Sequence, residues 1–362
     1  MKDISNQSAS THDPRGSLVI LGSGIAAIAH LTLEAIGHLK EADVVFYHAN
    51  SGVVASYIRE LNGNAVDLYE FYGEGKIRTV TYVQMAELML RKVRAGLFVV
   101  GLFHGHPGFF VHAARRSLEI ARMEGYPTAL IPAISAVDCL FADLRIDPGV
   151  SGVQILKASH VLKENASLAT ESNVVLIQVG SVGDNTFSFS GFKQAKLELL
   201  FDRLISIYGE DHDSVWYVAP IFPGFDPIIS VRKLREYKNH SLRDTLHAAT
   251  LYLPPAGIPY ASMTSWQAFK GREPYGQFEA TAISELETHQ TPPGYKLRGA
   301  SPAMVRAVSD IATGPHSALT FRNAPSQFAE SHAELTTQEQ EALLSRDTGK
   351  MRTVTTKQLK TI

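Results

Sequence analysis

Leu97–Val111 reads LFVVGLFHGHPGFFV. Its first part, Leu97 to Phe103, is a continuous apolar run, the pattern of a strand buried on both faces. The run breaks into His104-Gly105-His106-Pro107-Gly108. Glycine lets a backbone come close to a ligand, and proline fixes the turn that presents it. Open α/β sheets bind their ligands beyond the carboxyl ends of such strands. The stretch therefore predicts an α/β fold with a ligand site at this loop.

The flanking chain repeats the pattern. Ser17–Leu21 is a short apolar strand that runs into Gly22-Ser23-Gly24-Ile25-Ala26-Ala27 and a helix expected over Ile28–Leu39. Strand, G-x-G-x-x-A and helix together resemble a dinucleotide fingerprint. That fingerprint wants an acid after the second strand, Ala42–Tyr47, but His48-Ala49-Asn50 stand there. A nicotinamide oxidoreductase is therefore a rival reading only. Helices are expected over Val53–Leu61, Thr81–Ala95, Val111–Glu124 and Val137–Leu144, and a strand over Pro127–Ile131. In Thr81–Ala95 the apolar positions Val83, Leu88, Leu90 and Val93 leave Arg91, Lys92 and Arg94 outside. Ser135 suits the cap of the last helix. The alternation predicts a parallel sheet covered by helices on both faces.

A second unit starts near Gly152, with strands at Val174–Val179, Ser214–Ala219 and Thr250–Leu253 and a helix at Phe192–Tyr208. Its alternation is weaker, and a mixed α/β unit is expected. Residues 256–300 read as a crossing segment. Short helices are expected at Ser301–Asp310, Ser326–His332 and Thr336–Ser345, the last opened by a Thr336/Glu339 capping box. The tail Met351–Ile362 is polar and β-branched and shows no core partner.

The 362 residues leave room for two domains with appendages, and 45% apolar content supports a sizeable core. The net charge of -2 argues against general nucleic-acid binding. Cys139 is the one cysteine, so no internal disulfide forms; a reducing, cytoplasmic setting is expected. No apolar run reaches membrane-spanning length. Residues 1–15 are polar, lack a signal-peptide core and are expected to be a disordered tail.

Three constellations carry chemistry. Gly22 and Gly24, the His104–Gly108 loop with Val111, Ser135-Ala136 and Gln178-Val179-Gly180 all follow strands or open helices. Together they point to a nucleotide-like ligand, although each alone serves as an ordinary turn. Tyr69, Tyr72, Arg78 and Tyr82 put three phenols and a guanidinium within fourteen residues. A phenolate is a stronger base than a carboxylate, and an adjacent arginine both favours it and holds an oxyanion. The plainer reading makes these tyrosines core aromatics and Arg78 a surface charge. His104, His106 and His112 have no nearby carboxylate or thiol to complete a metal set, so no metal is expected. Cys139, in an apolar helix, reads as inert.

Gly22-Ser23-Gly24, Gly105-His106-Pro107-Gly108 and Pro132-Ala133-Ile134-Ser135-Ala136 resemble the tetrapyrrole methylases, two-domain S-adenosylmethionine enzymes. Val66–Tyr69, Tyr72, Gly75-Lys76, Arg78, Tyr82, Gln84-Met85, Asp138–Leu144 and Ile146-Asp147-Pro148 are more narrowly similar to the borosin peptide-backbone α-N-methyltransferases. The resemblance covers about residues 16 to 350.

That resemblance implies a two-domain α/β methyltransferase with a C-terminal helical clasp that binds the leader region. Its parts would be methylase subdomains at 16–150 and 151–255, a crossing linker at 256–300, the helical domain at 301–350 and a substrate-like tail at 351–362. It implies a homodimer in which each tail enters the partner's site. It also implies S-adenosylmethionine held by the motif loops: Gly22, Gly24, His104, His106, Pro107, Gly108, Val111, Ser135, Ala136, Gln178, Val179 and Gly180. Tyr69, Arg78 and Tyr82 would deprotonate a peptide amide and hold its oxygen, and Tyr72 would line that site. Val354, Thr355 and Thr356 become candidate methyl acceptors. Two departures stand out. His104 occupies a position where the family usually has tyrosine, and eleven residues follow Met351 where fused members carry a longer leader and core. The rival within the resemblance is a small-molecule methyltransferase of the tetrapyrrole type.

Overall fold

The structure, a computed structural model, describes residues 16–163, 166–191, 197–239, 248–264, 288, 290 and 299–355. The first unit runs β1 (Ser17–Gly22), α1 (Leu33–Glu41), β2 (Val44–His48), α2 (Gly52–Leu61), β3 (Ala65–Asp67), α3 (Arg78–Arg94), β4 (Phe98–Phe103), α4 (His112–Met123), β5 (Thr128–Leu130) and α5 (Ala136–Leu144). All five strands are parallel, in the order β3-β2-β4-β1-β5.

Successive residues of one strand feed opposite cores. Leu18 and Ile20 of β1 pack with Met85, Met89 and Leu118 from α3 and α4. Val19 and Leu21 pack with Ala35, Leu39, Val54 and Ile58 from α1 and α2. Strands buried on both faces read as unbroken apolar runs, which is why Phe98–Phe103 has no polar position.

Four local expectations change. The first helix opens at Leu33, not Ile28, because Thr32 caps it by accepting from the Ala35 amide. Ahead of it, His30 Nδ1 accepts from the amides of Ile25 and Ala26, and Ile28 has φ +63°. A β-branched residue in the left-handed region cannot continue a helix. The glycine loop therefore ends in a turn, which removes the dinucleotide geometry. Second, α3 starts at Arg78 rather than Thr81 and buries Thr81, Met85, Ala86, Met89, Leu90 and Val93, leaving Val83 and Leu88 half-buried. The third change is β3, three residues long, followed by a turn of 3₁₀ helix over Leu68–Phe71.

The second unit follows the short α6 (Pro148–Ser151). It runs β6 (Val153–Lys157), β7 (Asn173–Ile177), α7 (Leu197–Tyr208), β8 (Asp213–Val218), β9 (Ile228–Lys233), β10 (Thr250–Leu253) and α8 (Tyr260–Thr264). The sheet is mixed, in the order β6-β7-β10-β8-β9, with β6 parallel to β7 and the other pairs antiparallel. The edge strands β6 and β9 are the fourth change. Residues 192–196 of the expected Phe192–Tyr208 helix, and most of 256–300, lie outside the described residues.

α5 joins the two units. Its Val137, Leu140 and Leu144 pack with Val175 and Ile177 of β7 and Tyr217 of β8. The Tyr217 hydroxyl donates to Asp143 at 2.6 Å across that seam.

The C-terminal unit comprises α9 (Pro302–Thr313), α10 (Pro315–Asn323), α11 (Pro325–Glu330), α12 (Thr337–Ser345) and α13 (Thr348–Val354). Ala303, Met304, Ala307, Phe328, Leu335 and Leu343 form its core. The Thr336/Glu339 capping box is present. The unit rests on α1: the His316 amide donates to Glu41 at 2.8 Å, and a Cβ at Gly37 would lie 1.9 Å from the Thr313 carbonyl oxygen. The tail does have core partners, contrary to its polar pattern, because Met351 and Val354 sit on α13 against this core. Among the described residues no helix is long and apolar enough to cross a membrane.

Candidate active site

The loops after β1 and β4 are tied to each other rather than merely convergent. Gly24 and Gly105 exchange backbone hydrogen bonds of 3.3 and 3.0 Å. A Cβ at Gly22 would lie 2.1 Å from the Gly105 oxygen and 2.7 Å from Pro107 Cδ. Only glycine permits that approach.

Beside this tie lies a cavity of about 1040 Å³. Its wall includes Tyr69, Tyr72, Arg78 and Tyr82 together with His104, Val111, Gln178 and Gly180. The proposed catalytic cluster and half the strand-end loops thus share one space. Gly22, Gly24, His106, Pro107, Gly108, Ser135, Ala136 and Val179 do not line it. Each of the first group has a structural task nearby. Gly22 and Gly24 build the tie, and His106 Nδ1 accepts from the Gly108 amide at 3.0 Å to shape the turn. Ser135 caps α5 through its capping box with Asp138.

Two lining residues, Phe110 and Gln178, have φ of +62° and +55°. Left-handed backbone at non-glycine residues concentrates at ligand sites, where surrounding structure holds the strain.

The aromatic cluster is layered. Tyr72 stacks on Phe187 at 4.5 Å and packs edge-on to Tyr82 at 6.4 Å. His48 stacks on Tyr69 at 5.9 Å. Tyr69 is 43% exposed, so it is not a sealed core aromatic. Burial raises the Tyr72 hydroxyl well above the usual phenol range, and its hydrogen bond to Tyr82 adds to that. Tyr72 therefore keeps its proton. Arg78, at the first turn of α3, donates a guanidinium N–H to the Asp184 carbonyl and its amide to the Asn185 oxygen at 2.9 Å. Lys157 reaches the same cavity; burial, and then the Arg78 charge, lower its ammonium.

Segment 184–189 of the second unit closes this wall. The Gly75 amide donates to Phe187, the Phe187 amide to Lys76, and the Phe189 amide to Glu74. Sequence reasoning missed Phe187, Asp184 and Lys157 because they come from the other unit. It read His48 and Asn50 only as a missing acid. Burial pushes His104 down to about 4, and the neighbouring His48 ring disfavours a second charge there; burial lowers His48 as well. Among the described residues no group of three or more metal-ligating side chains occurs. Burial raises the Cys139 thiol to about 11, as suits an unreactive cysteine.

The wall suits S-adenosylmethionine. Aromatic faces attract a sulfonium cation, backbone turns admit close approach, and the buried Nδ1 of His104 has no hydrogen-bond partner among the described residues.

The family described as Tetrapyrrole (Corrin/Porphyrin) Methylases matches residues 17–220, and the Borosin biosynthesis clasp domain matches residues 274–362. A dendrothelin A precursor methyltransferase of Dendrothele bispora is 37% identical over 92% of this chain and 87% of its own length. A type I borosin cyclic peptide precursor methyltransferase of Coprinopsis marcescibilis is 38% identical over 93% of this chain and 92% of its own. Among solved structures, a uroporphyrin-III C-methyltransferase of Thermus thermophilus is similar, with TM-score 0.48 and 18% identity over 69% of this chain and 97% of that one.

Proposed function

Since the chain belongs to the borosin methyltransferases, built on a tetrapyrrole methylase domain with a borosin clasp, we propose that it methylates backbone amide nitrogens of a peptide. The peptide is its own C-terminal tail or that of a partner subunit in a homodimer. The observation that carries this reading is the shared cavity, which Tyr69, Tyr72, Arg78 and Tyr82 line together with His104, Val111, Gln178 and Gly180.

An amide nitrogen is delocalised into its carbonyl and is a poor nucleophile. Making it react requires removing its proton, holding negative charge on the oxygen and fixing the geometry. Tyr69 and Tyr82 would supply the base. Arg78 holds the developing oxygen charge, with Lys157 as a second cation beside it. Tyr72 remains protonated and orders the ring stack. S-adenosylmethionine supplies the methyl group when bound, and His104, Val111, Gln178 and Gly180 would hold it. Gly22, Gly24, Pro107 and Ser135 shape those loops from behind.

Arg78→Ala and Tyr82→Phe test the reading. Each lowers the methylation rate at least a hundredfold, on the order expected for losing an oxyanion partner or a base. Calorimetry finds S-adenosylhomocysteine binding unchanged in both. If both variants methylate normally, the assigned chemistry is wrong.

A further inference from the structure

The cavity wall contains a polar group with no structural task. Both amide atoms of Asn50, Nδ2 and Oδ1, are buried and have no hydrogen-bond partner among the described residues. Asparagine beside a helix start ordinarily serves as a turn or cap. Here Ser51 performs the capping, accepting from the Val54 amide at 3.4 Å, and Asn50 is left over. Buried polar atoms are almost always satisfied, and each orphan is costly. Asn50 is one of the residues lining the cavity, and its side-chain amide keeps one donor group and one acceptor unused.

The position is also telling. His48 at the end of β2 pairs in register with Phe103 at the end of β4, so 49–50 and 104 leave neighbouring strands. His48 then stacks on Tyr69 and packs against Tyr72 at 5.6 Å. Asn50 is thus two residues from the aromatic cluster and shares its cavity. A primary amide is neutral and offers an adjacent donor and acceptor. Its matched partner is another neutral amide-like edge. Anionic groups have Arg78 and Lys157 to meet instead.

We infer that Asn50 is a substrate-binding residue whose side-chain amide pairs with a backbone amide of the methyl-accepting peptide, beside the Tyr69/Arg78 centre. The inference rests on the peptide-methylation reading. An extended peptide presents N–H and C=O groups along its edge, and Asn50 takes one of each. An N-methylated residue has lost the donor, so the contact favours amides not yet modified.

The test uses the full chain, S-adenosylmethionine and a synthetic peptide of residues 351–362 supplied in trans. Asn50→Leu, close in shape but apolar, raises KM for the peptide at least tenfold, as losing two hydrogen bonds requires. It leaves kcat and S-adenosylhomocysteine affinity within twofold. Its Tm does not fall, because no bond within the protein is broken. Asn50→Asp keeps an acceptor, loses the donor and gives a smaller rise in KM. Unchanged KM in both variants, with an active wild type, overturns the inference alone. So does weakened S-adenosylhomocysteine binding, which would place Asn50 on the cofactor's adenine edge. If the wild type methylates neither this peptide nor its own tail, the peptide reading falls and takes the inference with it.

Discussion

Tyr72 is the phenol of the cluster that burial keeps protonated. Because burial holds its proton in place, Tyr72→Phe removes a hydrogen bond but no base. Its methylation rate should fall by roughly tenfold, less than for Tyr82→Phe, in single-turnover assays. Histidine protonation sets a second expectation. His38 and His104 are both pushed down to about 4 by burial, below the unfolded value of about 6.5. The unfolded chain therefore binds these protons first, and stability is full above pH about 6.5. It declines as pH falls toward about 4, by on the order of 3 kcal/mol per histidine. Thermal melts across that range should show Tm falling with pH. A flat profile would mean that neither ring is held neutral. The Tyr69–Tyr82 cluster was legible because so many phenols beside an arginine is unusual chemistry for a surface turn. Phe187 and Lys157 were not, since neighbours brought in by the second unit leave no trace in local spacing.

At the scale of elements, the tie between the first and fourth strand ends depends on two glycines. Gly22→Ala places a methyl group 2.1 Å from the Gly105 oxygen, which must move. The substitution should cost about 2 kcal/mol or more in urea unfolding and displace the His104 loop. The clasp offers a cleaner measure. Thr336→Ala removes one side of the capping box and should cost about 1 kcal/mol. Both sites were visible beforehand, one as a glycine pair and the other as T-x-x-E. Buried strands were visible too, since burial on both faces leaves only apolar residues. The edge strands were not. β6 is half-buried throughout and ends in Lys157, while β9 exposes Ile228 and Ile229, so neither carries a clean period. The first helix misled because its apolar spacing extends back to Ile28, while Thr32 and the His30 turn set the true start.

For the whole molecule, the question is how a peptide reaches the cavity. The tail was expected to hang free. Instead Met351 and Val354 pack on the clasp core, and the Thr355 amide donates to the Met351 carbonyl at 3.1 Å. An amide engaged in a helix is not open to methylation, so on the reading proposed above Val354 and Thr355 would have to leave α13 first; Thr356 lies outside the described residues. On that reading the clasp would be coupled to catalysis, with α13 holding the tail until it enters a site. The composition of the tail gave no hint of that packing, because its four apolar side chains, Met351, Val354, Leu359 and Ile362, are scattered among polar residues and carry no readable period. Tandem mass spectrometry of the full chain after incubation with S-adenosylmethionine tests the central claim most directly. Mass steps of one methyl each are expected on backbone nitrogens beyond about residue 352, with none in Arg78→Ala. Methyl groups on side chains, or an unmodified tail with transfer to a porphyrinoid instead, would contradict it.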